Sequence, residues 1–404
     1  MTTRSSFRPV REGETLGQRT WRIPLSPYER FMQEEGIPIY RGIGVYDSRE
    51  LPLGEWKRMG AKGSFIVLDG IERKKGMFVV EVPASGATSP VKHLYDEFYL
   101  VIEGRGSTEV WRSDVAQAPS PANKKQVFEW QPGSLFMVPI NASFRFVNAA
   151  SSPALLLAAN NSPLIINIFQ SHRFVFDNDY EFSERWDGSP EFFKAKDDVE
   201  HDPVKGRAML RSGLYPDIVG TELPLDNQRA PGSRRLQPGY PGYEVDAAMG
   251  GFIAEYWSGR YTRCHYHESG AVIVCLRGKG YSFTWPKAIG TRPWEVGMEQ
   301  YVKRQDYVPG GMVAAAPGGG EWFHQHFSIG KEPLRFINYW GGPTGDTGRD
   351  GDEPEEQNNP HLLGLSEGGK IIKYSEEDPM IRKIYQGELD REGVQFRMPE
   401  EAYR

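Results

Sequence analysis

Only two cysteines, Cys264 and Cys275, occur in the 404 residues of this chain. Two cysteines cannot form the disulfide framework that stabilises small secreted domains, so a reducing compartment is expected. No stretch reaches the roughly 18 apolar residues that a membrane helix requires. Residues 1–14 also lack the apolar segment of a secretory signal. We therefore expect a cytoplasmic protein with no membrane partner.

An excess of positive charge is also missing. The chain has 48 Lys and Arg against 54 Asp and Glu, a net charge of −6, and this balance argues against a nucleic-acid partner. The glycine run at residues 318–320 is not followed by Lys-Ser or Lys-Thr, so it does not read as a phosphate-binding loop. These absences leave a small molecule as the expected partner.

Glycine and proline are abundant, with 45 and 30 copies, which is typical of many short strands joined by turns. Strand-like segments fall into two blocks of similar layout, and this weak internal repeat predicts a duplicated β-barrel. The predicted strands are 64–68, 77–82, 98–103, 107–111, 134–138, 144–148 and 154–159 in the first block, and 251–257, 271–276, 280–285, 299–303, 312–315, 322–327 and 334–339 in the second.

Five segments follow from this layout. Near the start, Ser26 and Glu29 form a capping-box pattern around Pro27, and Gly36 is expected to end a short helix. Near the end, Ser375 to Asp378 open a last helix that is expected to stop near Gly387. The predicted segments are an arm (1–55), an N-terminal barrel (56–165), an inter-barrel connection (166–240), a C-terminal barrel (241–345) and a tail (346–404).

Two histidine pairs hold four of the eight histidines: His265 with His267, and His324 with His326. Residues i and i+2 of a strand point to the same face, so each pair directs two imidazoles one way. Imidazole is the commonest protein ligand for a transition metal at neutral pH. If the two segments are neighbours in space, three or four nitrogens converge, and the pattern predicts a metal site.

The sequence around these pairs resembles the two cupin motifs. Residues 259–278 contain a glycine, five residues, His-x-His and a closing glycine at the usual places, but Ala271 stands where a glutamate ligand is usual. Residues 317–326 resemble the second motif, which brings a further histidine after a Pro/Gly turn. The resemblance covers roughly residues 60–345. It implies an all-β fold of two tandem cupin (double-stranded β-helix, jelly-roll) barrels with a few short helices.

The first block resembles the same motifs in degraded form. His93 and Glu97 are present, whereas Val91 and Phe144 stand where two further histidines belong. One histidine and one carboxylate cannot hold a divalent ion firmly against water. We therefore expect the N-terminal barrel to be structural or to form a pocket wall, with His93 and Glu97 as a hydrogen-bonded pair.

A His-x-His motif followed by alanine resembles the gentisate 1,2-dioxygenase group of bicupins, although that group usually carries its metal in the N-terminal barrel. The resemblance implies Fe(II) held by His265, His267 and His324, with O₂ and a small hydroxylated aromatic compound as substrates. Manganese sites of the oxalate decarboxylase type keep the glutamate, but Mn, Ni, Cu and Zn remain alternatives. The resemblance to cupins also implies a homo-oligomer, which we expect to be a dimer.

Three functions are thus open. The first is an Fe(II)-dependent dioxygenase, because three neutral ligands leave the ion its full charge and open positions for a bidentate substrate and O₂. The second is a metal-dependent lyase, decarboxylase or hydrolase without O₂ chemistry. The third is a non-catalytic bicupin that binds a small molecule.

Other side chains are candidates for the same site. His326 is a fourth ligand, a proton carrier or a hydrogen-bond donor near the metal, unless a bulge at the glycine run turns it outward. Arg277 and Arg335 suit a substrate carboxylate, with surface ion pairs as the alternative. Glu268 is expected on the rim.

Several apolar residues near the motifs could line a pocket or simply form the barrel core. By alternation Cys264 points away from the cavity, whereas Cys275 is packed in the core or faces inward. The aromatic candidates for a pocket wall are Tyr256, Trp257, Tyr281, Phe283, Trp285 and Trp322.

Overall fold

The computed structural model describes residues 24–112, 125–201, 208–239, 249–267, 270–317, 319–340 and 363–404. Residues 1–23 of the predicted arm and 341–362, which include the start of the predicted tail, lie outside the described residues. So does Glu268, which was expected on the rim of the metal site.

The N-terminal half forms two sheets that face each other. The larger has the order β1-β4-β5-β12-β7-β10-β15, with β3 paired to β4, and the smaller has the order β6-β11-β8-β9. The strands are β1 (Ile39–Gly42), β2 (Gly44–Val45), β3 (Gly54–Trp56), β4 (Ala61–Leu68), β5 (Gly76–Val82), β6 (Gly86–Ala87), β7 (Glu97–Glu103), β8 (Gly106–Trp111), β9 (Gln126–Trp130), β10 (Leu135–Val138), β11 (Ser143–Asn148), β12 (Ala154–Asn160) and β15 (Leu214–Tyr215).

The C-terminal half repeats this arrangement. Its larger sheet has the order β13-β14-β16-β17-β24-β19-β22-β2, and its smaller sheet has the order β21-β20-β23-β18-β25. The strands are β13 (Glu200–His201), β14 (Ala208–Arg211), β16 (Arg234–Gly239), β17 (Gly250–Tyr256), β18 (Cys264–His265), β19 (Val272–Arg277), β20 (Gly280–Pro286), β21 (Lys303–Tyr307), β22 (Met312–Ala314), β23 (Trp322–Ser328), β24 (Leu334–Trp340) and β25 (Ile371–Ile372).

The two halves are equivalent strand by strand. The order β5-β12-β7-β10 corresponds to β17-β24-β19-β22, and β6-β11-β8-β9 corresponds to β18-β23-β20-β21. Even an irregularity is shared, because the register shifts between β12 and β7 and between the matching strands β24 and β19. The predicted fold class is confirmed: the protein is an all-β molecule of two tandem jelly-roll barrels.

The barrels are joined by a reciprocal exchange of short strands. Strand β2 lies before the N-terminal barrel in sequence but pairs with β22 of the C-terminal barrel. Strand β15 lies in the segment expected to connect the barrels and pairs with β10 of the N-terminal barrel. The large sheets also share one apolar core, in which the rings of Phe98 and Tyr339 lie 6.1 Å apart. The barrels therefore fold onto each other as one unit.

The described part of the chain contains four α-helices beside the barrels: α1 (Pro27–Glu35), α2 (Ser162–Phe169), α3 (His172–Phe176) and α4 (Pro379–Glu392). The predicted capping box of α1 is confirmed, with Ser26 and Glu29 bonding each other's backbone and Gly36 as the left-handed cap. None of the helices in these ranges is long and apolar enough to cross a membrane.

Two predicted elements were placed wrongly. Helix α4 continues past Gly387 to a left-handed cap at Gly393, because Glu388 and Leu389 are buried against the barrel and this packing outweighs the low helix propensity of one glycine. The strand expected at 299–303 is instead β21 at Lys303–Tyr307, four residues later, since Glu299–Tyr301 form a 3₁₀ turn.

Replacing Gly44 by alanine tests the strand exchange. A Cβ at this position would overlap the carbonyl oxygen of Met312 in the partner strand β22, so the pairing must shift. We expect Gly44→Ala to lower the free energy of unfolding by about 1–3 kcal/mol in chemical denaturation. The control is Gly387→Ala inside α4, where a Cβ meets nothing within 4 Å. It should be neutral or stabilising, and equal destabilisation by both variants would contradict the interpretation.

Candidate metal centre

The two histidine pairs lie on neighbouring strands of the smaller C-terminal sheet. Strand β18 pairs with β23 in an antiparallel manner that sets His265 directly opposite His324. His267 lies two residues beyond His265, just past the end of β18, and His326 lies two residues beyond His324 on β23. Alternation along β23 therefore directs His324 and His326 to one face of the sheet, the face that lines the barrel lumen.

Three of the four imidazoles converge. His265, His267 and His324 each offer a ring nitrogen, and these atoms all lie within 4.8 Å of one another. The ring centroids of His265 and His324 are 4.2 Å apart, and those of His267 and His324 are 4.7 Å apart. His265 and His324 are buried and His267 is half-buried. One ion could contact all three rings.

The protonation of these rings suits a metal. The Nδ1 atom of His265 lies 3.0 Å from the carbonyl oxygen of Arg263. A carbonyl can only accept, so Nδ1 donates and the lone pair of Nε2 remains for a ligand. Burial, reinforced by the nearby charge of Arg229 and by neighbouring imidazoles, holds the pKa of His265 well below its usual range.

The pKa of His324 is lowered as well. Burial, followed by the neighbouring imidazoles of His267 and His326, holds its pKa well below the ordinary value. A neutral imidazole is the form that coordinates a metal, because the protonated ring has no lone pair to share. The residues of this cluster thus fit a mid-row divalent ion.

His326 points into the lumen beside this triad. Its Nδ1 atom lies 2.7 Å from the hydroxyl oxygen of Ser282, and its ring packs at 5.4 Å from Phe336 in the barrel core. The outward-facing alternative is therefore wrong. Its ring centroid is 5.7 Å from that of His324, and burial lowers its pKa to about 3. His326 is a buried, neutral neighbour of the three converging rings.

No carboxylate replaces the missing glutamate within the described residues of the cluster. Ala271 is fully buried in the barrel core, four residues after His267. In the N-terminal barrel Glu97 occupies the matching place, four residues after His93. The two barrels thus differ at this position: Glu97 would add a negative charge to a ligand set, and Ala271 adds none.

In the N-terminal barrel, His93 and Glu97, the two polar residues that remain of the motif, form hydrogen bonds. His93 Nδ1 lies 2.9 Å from the carbonyl oxygen of Tyr95, and Nε2 lies 2.9 Å from the carboxylate of Glu97. Glu97 also accepts hydrogen bonds from Tyr99 and Asn160. Nδ1 must donate to the carbonyl, and Nε2 shares a proton with the carboxylate. The predicted His93–Glu97 pair is confirmed, and neither ring nitrogen has a lone pair free for a metal.

The lumen around this pair is nearly filled. Phe144, which stands where a histidine would be needed, packs its ring 5.6 Å from that of His93. The remaining cavity has a volume of about 20 Å³. That is room for about one water molecule rather than a substrate. The lumen of the N-terminal barrel is thus a packed core, whereas the equivalent part of the C-terminal lumen contains the three converging imidazoles.

The expected aromatic wall is mostly not at the lumen. Tyr281, Phe283 and Trp285 lie on the outer face of the small sheet, in an apolar cluster with Tyr385 of α4. Tyr256 belongs to the lumen-side core, whereas Trp257 is exposed and Trp322 is only half-buried.

The two cysteines follow the predicted alternation. Cys264 packs in the outer cluster beneath α4, and Cys275 is buried in the lumen-side core. Both thiols are buried, and this burial raises the pKa of Cys275 to about 12. Each cysteine therefore behaves as an apolar packing residue.

The structure does not bring Arg277 and Arg335 to the histidines. Phe336 faces the lumen, so Arg335 points to the opposite face of its sheet. There its Nε atom donates to Glu255 at 2.9 Å, and another nitrogen donates to the carbonyl oxygens of Val219 and Thr221. Arg277 donates to the same carboxylate at 2.5 Å. Both guanidinium groups pair with Glu255, and that of Arg335 also holds the inter-barrel segment. We no longer assign them to substrate binding at the histidine cluster.

A pattern in strand β20 indicates the partner of His326. In strand β20 the aromatic residues 281, 283 and 285 alternate with Ser282 and Thr284. The polar residues of this alternation face the lumen, where Ser282 pairs with His326 in register. Alternation alone could thus have identified Ser282 as a residue of the site.

No protein-family model matches the chain, and no curated protein matches it. Among solved structures, the oxalate decarboxylase of Lactobacillus farciminis in complex with formate is 11% identical, with a TM-score of 0.45, over 74% of this chain and 86% of that one. A Bacillus subtilis oxalate decarboxylase studied for its Mn(II) centres is 12% identical, with a TM-score of 0.44, over 74% and 77%. A deletion mutant of the B. subtilis enzyme is 11% identical, with a TM-score of 0.45, over 83% and 87%. At these values no activity is transferred to this chain.

A structural role of Arg335 is testable by stability. In Arg335→Leu the buried carboxylate of Glu255 keeps only Arg277, and the carbonyls of the inter-barrel segment lose their donor. We expect the free energy of unfolding to fall by about 2–3 kcal/mol, measured by chemical denaturation. Arg277→Leu is the matched control and should lose less, because its side chain is already 31% exposed. Unchanged stability together with weakened ligand binding would return Arg335 to the site.

Proposed function

We propose that the protein is a metal-dependent enzyme that acts on a small oxygenated substrate in its C-terminal barrel. The ligands of one divalent transition-metal ion would be His265, His267 and His324. The observation that carries the proposal is the convergence of three imidazoles, two of them buried, whose ring nitrogens lie within 4.8 Å of one another. Structural zinc sites use four ligands, whereas three protein ligands leave coordination positions for a substrate.

The ion would supply a Lewis acid that polarises a carbonyl or carboxylate oxygen of the substrate. The chain itself contributes the burial that excludes water and strengthens electrostatic interactions in the lumen. It also contributes His326, whose Nδ1 is engaged by Ser282. The other ring nitrogen, Nε2, is then the one that would exchange a proton with a bound substrate.

A redox-neutral reaction is the first candidate: a lyase, decarboxylase or hydrolase reaction. A buried imidazole beside the three ligands favours it, because such reactions require a group that delivers or removes a proton. The ligand set also contains no carboxylate, so the full charge of a divalent ion would act on the substrate.

The Fe(II)-dependent dioxygenase expected from the sequence stays a prediction and is the second candidate. Ala271 favours it, since three neutral ligands leave positions for both a bidentate aromatic substrate and O₂. Fe(II) belongs to this candidate, and Mn, Ni, Cu and Zn remain alternatives for the first. The homo-oligomer likewise stays a prediction.

Metal analysis of the full chain tests the site. Purified without oxygen, the protein should contain about one divalent ion per chain by elemental analysis. His265→Ala should lose the ion, because two imidazoles do not hold it against water. His93→Ala, the equivalent change in the N-terminal barrel, should keep it. Metal-free protein, or metal lost from the His93 variant alone, would overturn the proposal and favour a non-catalytic binding protein.

Oxygen dependence separates the two reactions. A screen of catechols, gentisate-like and salicylate-like acids, small oxo acids and β-diketones would be run in an oxygen electrode and again under nitrogen. For the redox-neutral reaction we expect product formation to continue under nitrogen with no O₂ uptake in air. Uptake of O₂ in step with product formation, lost in His265→Ala, would establish the dioxygenase instead.

A further inference from the structure

The outer face of the metal-binding sheet is covered by the end of the chain. Strand β25 pairs with β18, and Ile371 lies opposite His265. Beyond it, α4 buries Tyr385 against Phe327 of β23 and Tyr281 of β20. The C-terminal segment is therefore in direct contact with both strands that present the histidines.

A buried carboxylate lies in this layer. Glu377 is only 4% exposed, and this burial raises the pKa of its carboxyl group to about 7. Among the described residues it forms hydrogen bonds with Tyr261 and with Gln325, but none of the ion pairs found in this part of the chain includes it. A buried acidic group without an ion pair is costly even with the charge of Arg382 nearby, and apolar packing alone does not explain its presence.

Gln325 connects this carboxylate to the histidine strand. It lies between His324 and His326 on β23, so its side chain points to the opposite face of the sheet. Its amide nitrogen donates to Glu377 at 3.0 Å and to the carbonyl oxygen of Thr262 at 2.8 Å. One amide group is thus held from two sides, by the C-terminal segment and by the residues that precede β18.

The residues that precede β18 contact the histidines in turn. The backbone nitrogen of His326 donates to the hydroxyl oxygen of Thr262 at 3.0 Å, and the nitrogen of Thr262 donates to the carbonyl of His326 at 2.9 Å. The next residue, Arg263, accepts the hydrogen bond from His265 Nδ1 that fixes the orientation of this ring. A chain of hydrogen bonds thus runs from Glu377 through Gln325 to the segment that orients His265 and anchors His326.

We infer that Glu377 is a positioning residue for the metal centre: through Gln325 it fixes the spacing of the strands that carry His265 and His324. This inference rests on the proposed metal site. Residues that hydrogen-bond directly to metal ligands typically contribute 10–100-fold to metal affinity, because they hold the ligands in the geometry that the ion requires. Glu377 acts through Gln325, so we expect an effect at the lower end of this range.

The test uses the full chain and Co(II), whose visible absorption bands report ligand geometry, with affinity from competition against a chelator. Glu377→Met removes the acceptor at similar volume, and we expect Co(II) affinity to fall about tenfold with altered bands. Glu377→Gln should behave like the original protein. Its amide oxygen can accept from Gln325 while its NH₂ group donates to Tyr261, which can donate in turn to Tyr403 2.8 Å away.

Two further variants complete the design. Glu376→Met is the matched control, because this neighbouring carboxylate does not contact Gln325 and should leave the Co(II) bands unchanged. Gln325→Met cuts the same link from the other side and should reproduce the effect of Glu377→Met. It decides the question if the Glu377 variant does not fold.

The outcomes separate this inference from the proposed function. Folded Glu377→Met or Gln325→Met protein with unaltered Co(II) affinity and bands would overturn the positioning role while the metal site stands. Equal losses in Glu377→Met and Glu377→Gln would also overturn it, because the second variant keeps the acceptor. Failure of the unchanged chain to bind Co(II) at all would instead remove the proposed metal centre.

Discussion

The pairing of β18 with β23 is the constraint on which the site depends. It sets His265 opposite His324 in register. A slip of one residue would turn one of these rings to the outer face and bury it among the aromatic side chains beneath α4. The apolar outer face and the polar inner face of the sheet therefore specify the register, and the register specifies the ligand geometry. The proposed metal site would thus follow from the alternation of polar and apolar side chains in two short strands.

The two barrels show what the same architecture does with different side chains. In the N-terminal barrel, Glu97 and Phe144 convert the lumen into a hydrogen-bonded and packed core around His93. In the C-terminal barrel, Ala271 stands at the place of Glu97. The imidazoles of His265 and His324 stand at the places that Val91 and Phe144 fill in the N-terminal barrel. A duplicated fold can thus keep one copy for stability, because the reciprocal strand exchange makes each barrel part of the other's sheet. The exchanged strands link the integrity of the site to the packed copy.

Much of this could be predicted from the sequence, because the signals are local. The spacing of His265 and His267 and the turn glycines identify strands and ligands, and the capping box at Ser26 identifies α1. The exchange of strands could not be predicted in the same way, since pairing across about 80 residues (β15 with β10) or more than 260 (β2 with β22) leaves no local pattern. One short repeat does accompany the exchange: Gly-Val-Tyr at residues 44–46 recurs as Gly-Leu-Tyr at residues 213–215. These two tripeptides contain the exchanged strands β2 and β15. The role of Arg335 was also hidden, because its partner Glu255 is 80 residues away.

The position of Glu377 shows why residues behind a site escape sequence reasoning. It lies more than fifty residues from Gln325 and more than one hundred from the first histidine pair, in a segment that shows the start of a helix but no ligand motif. Its importance follows from energetics rather than pattern, because a buried acid is retained only where its hydrogen bonds compensate for lost solvation. Here those bonds lead to Gln325, whose neighbours on both sides are histidines of the lumen. The C-terminal segment is thus both a cover for the apolar face of the sheet and a support for the imidazoles on its other face.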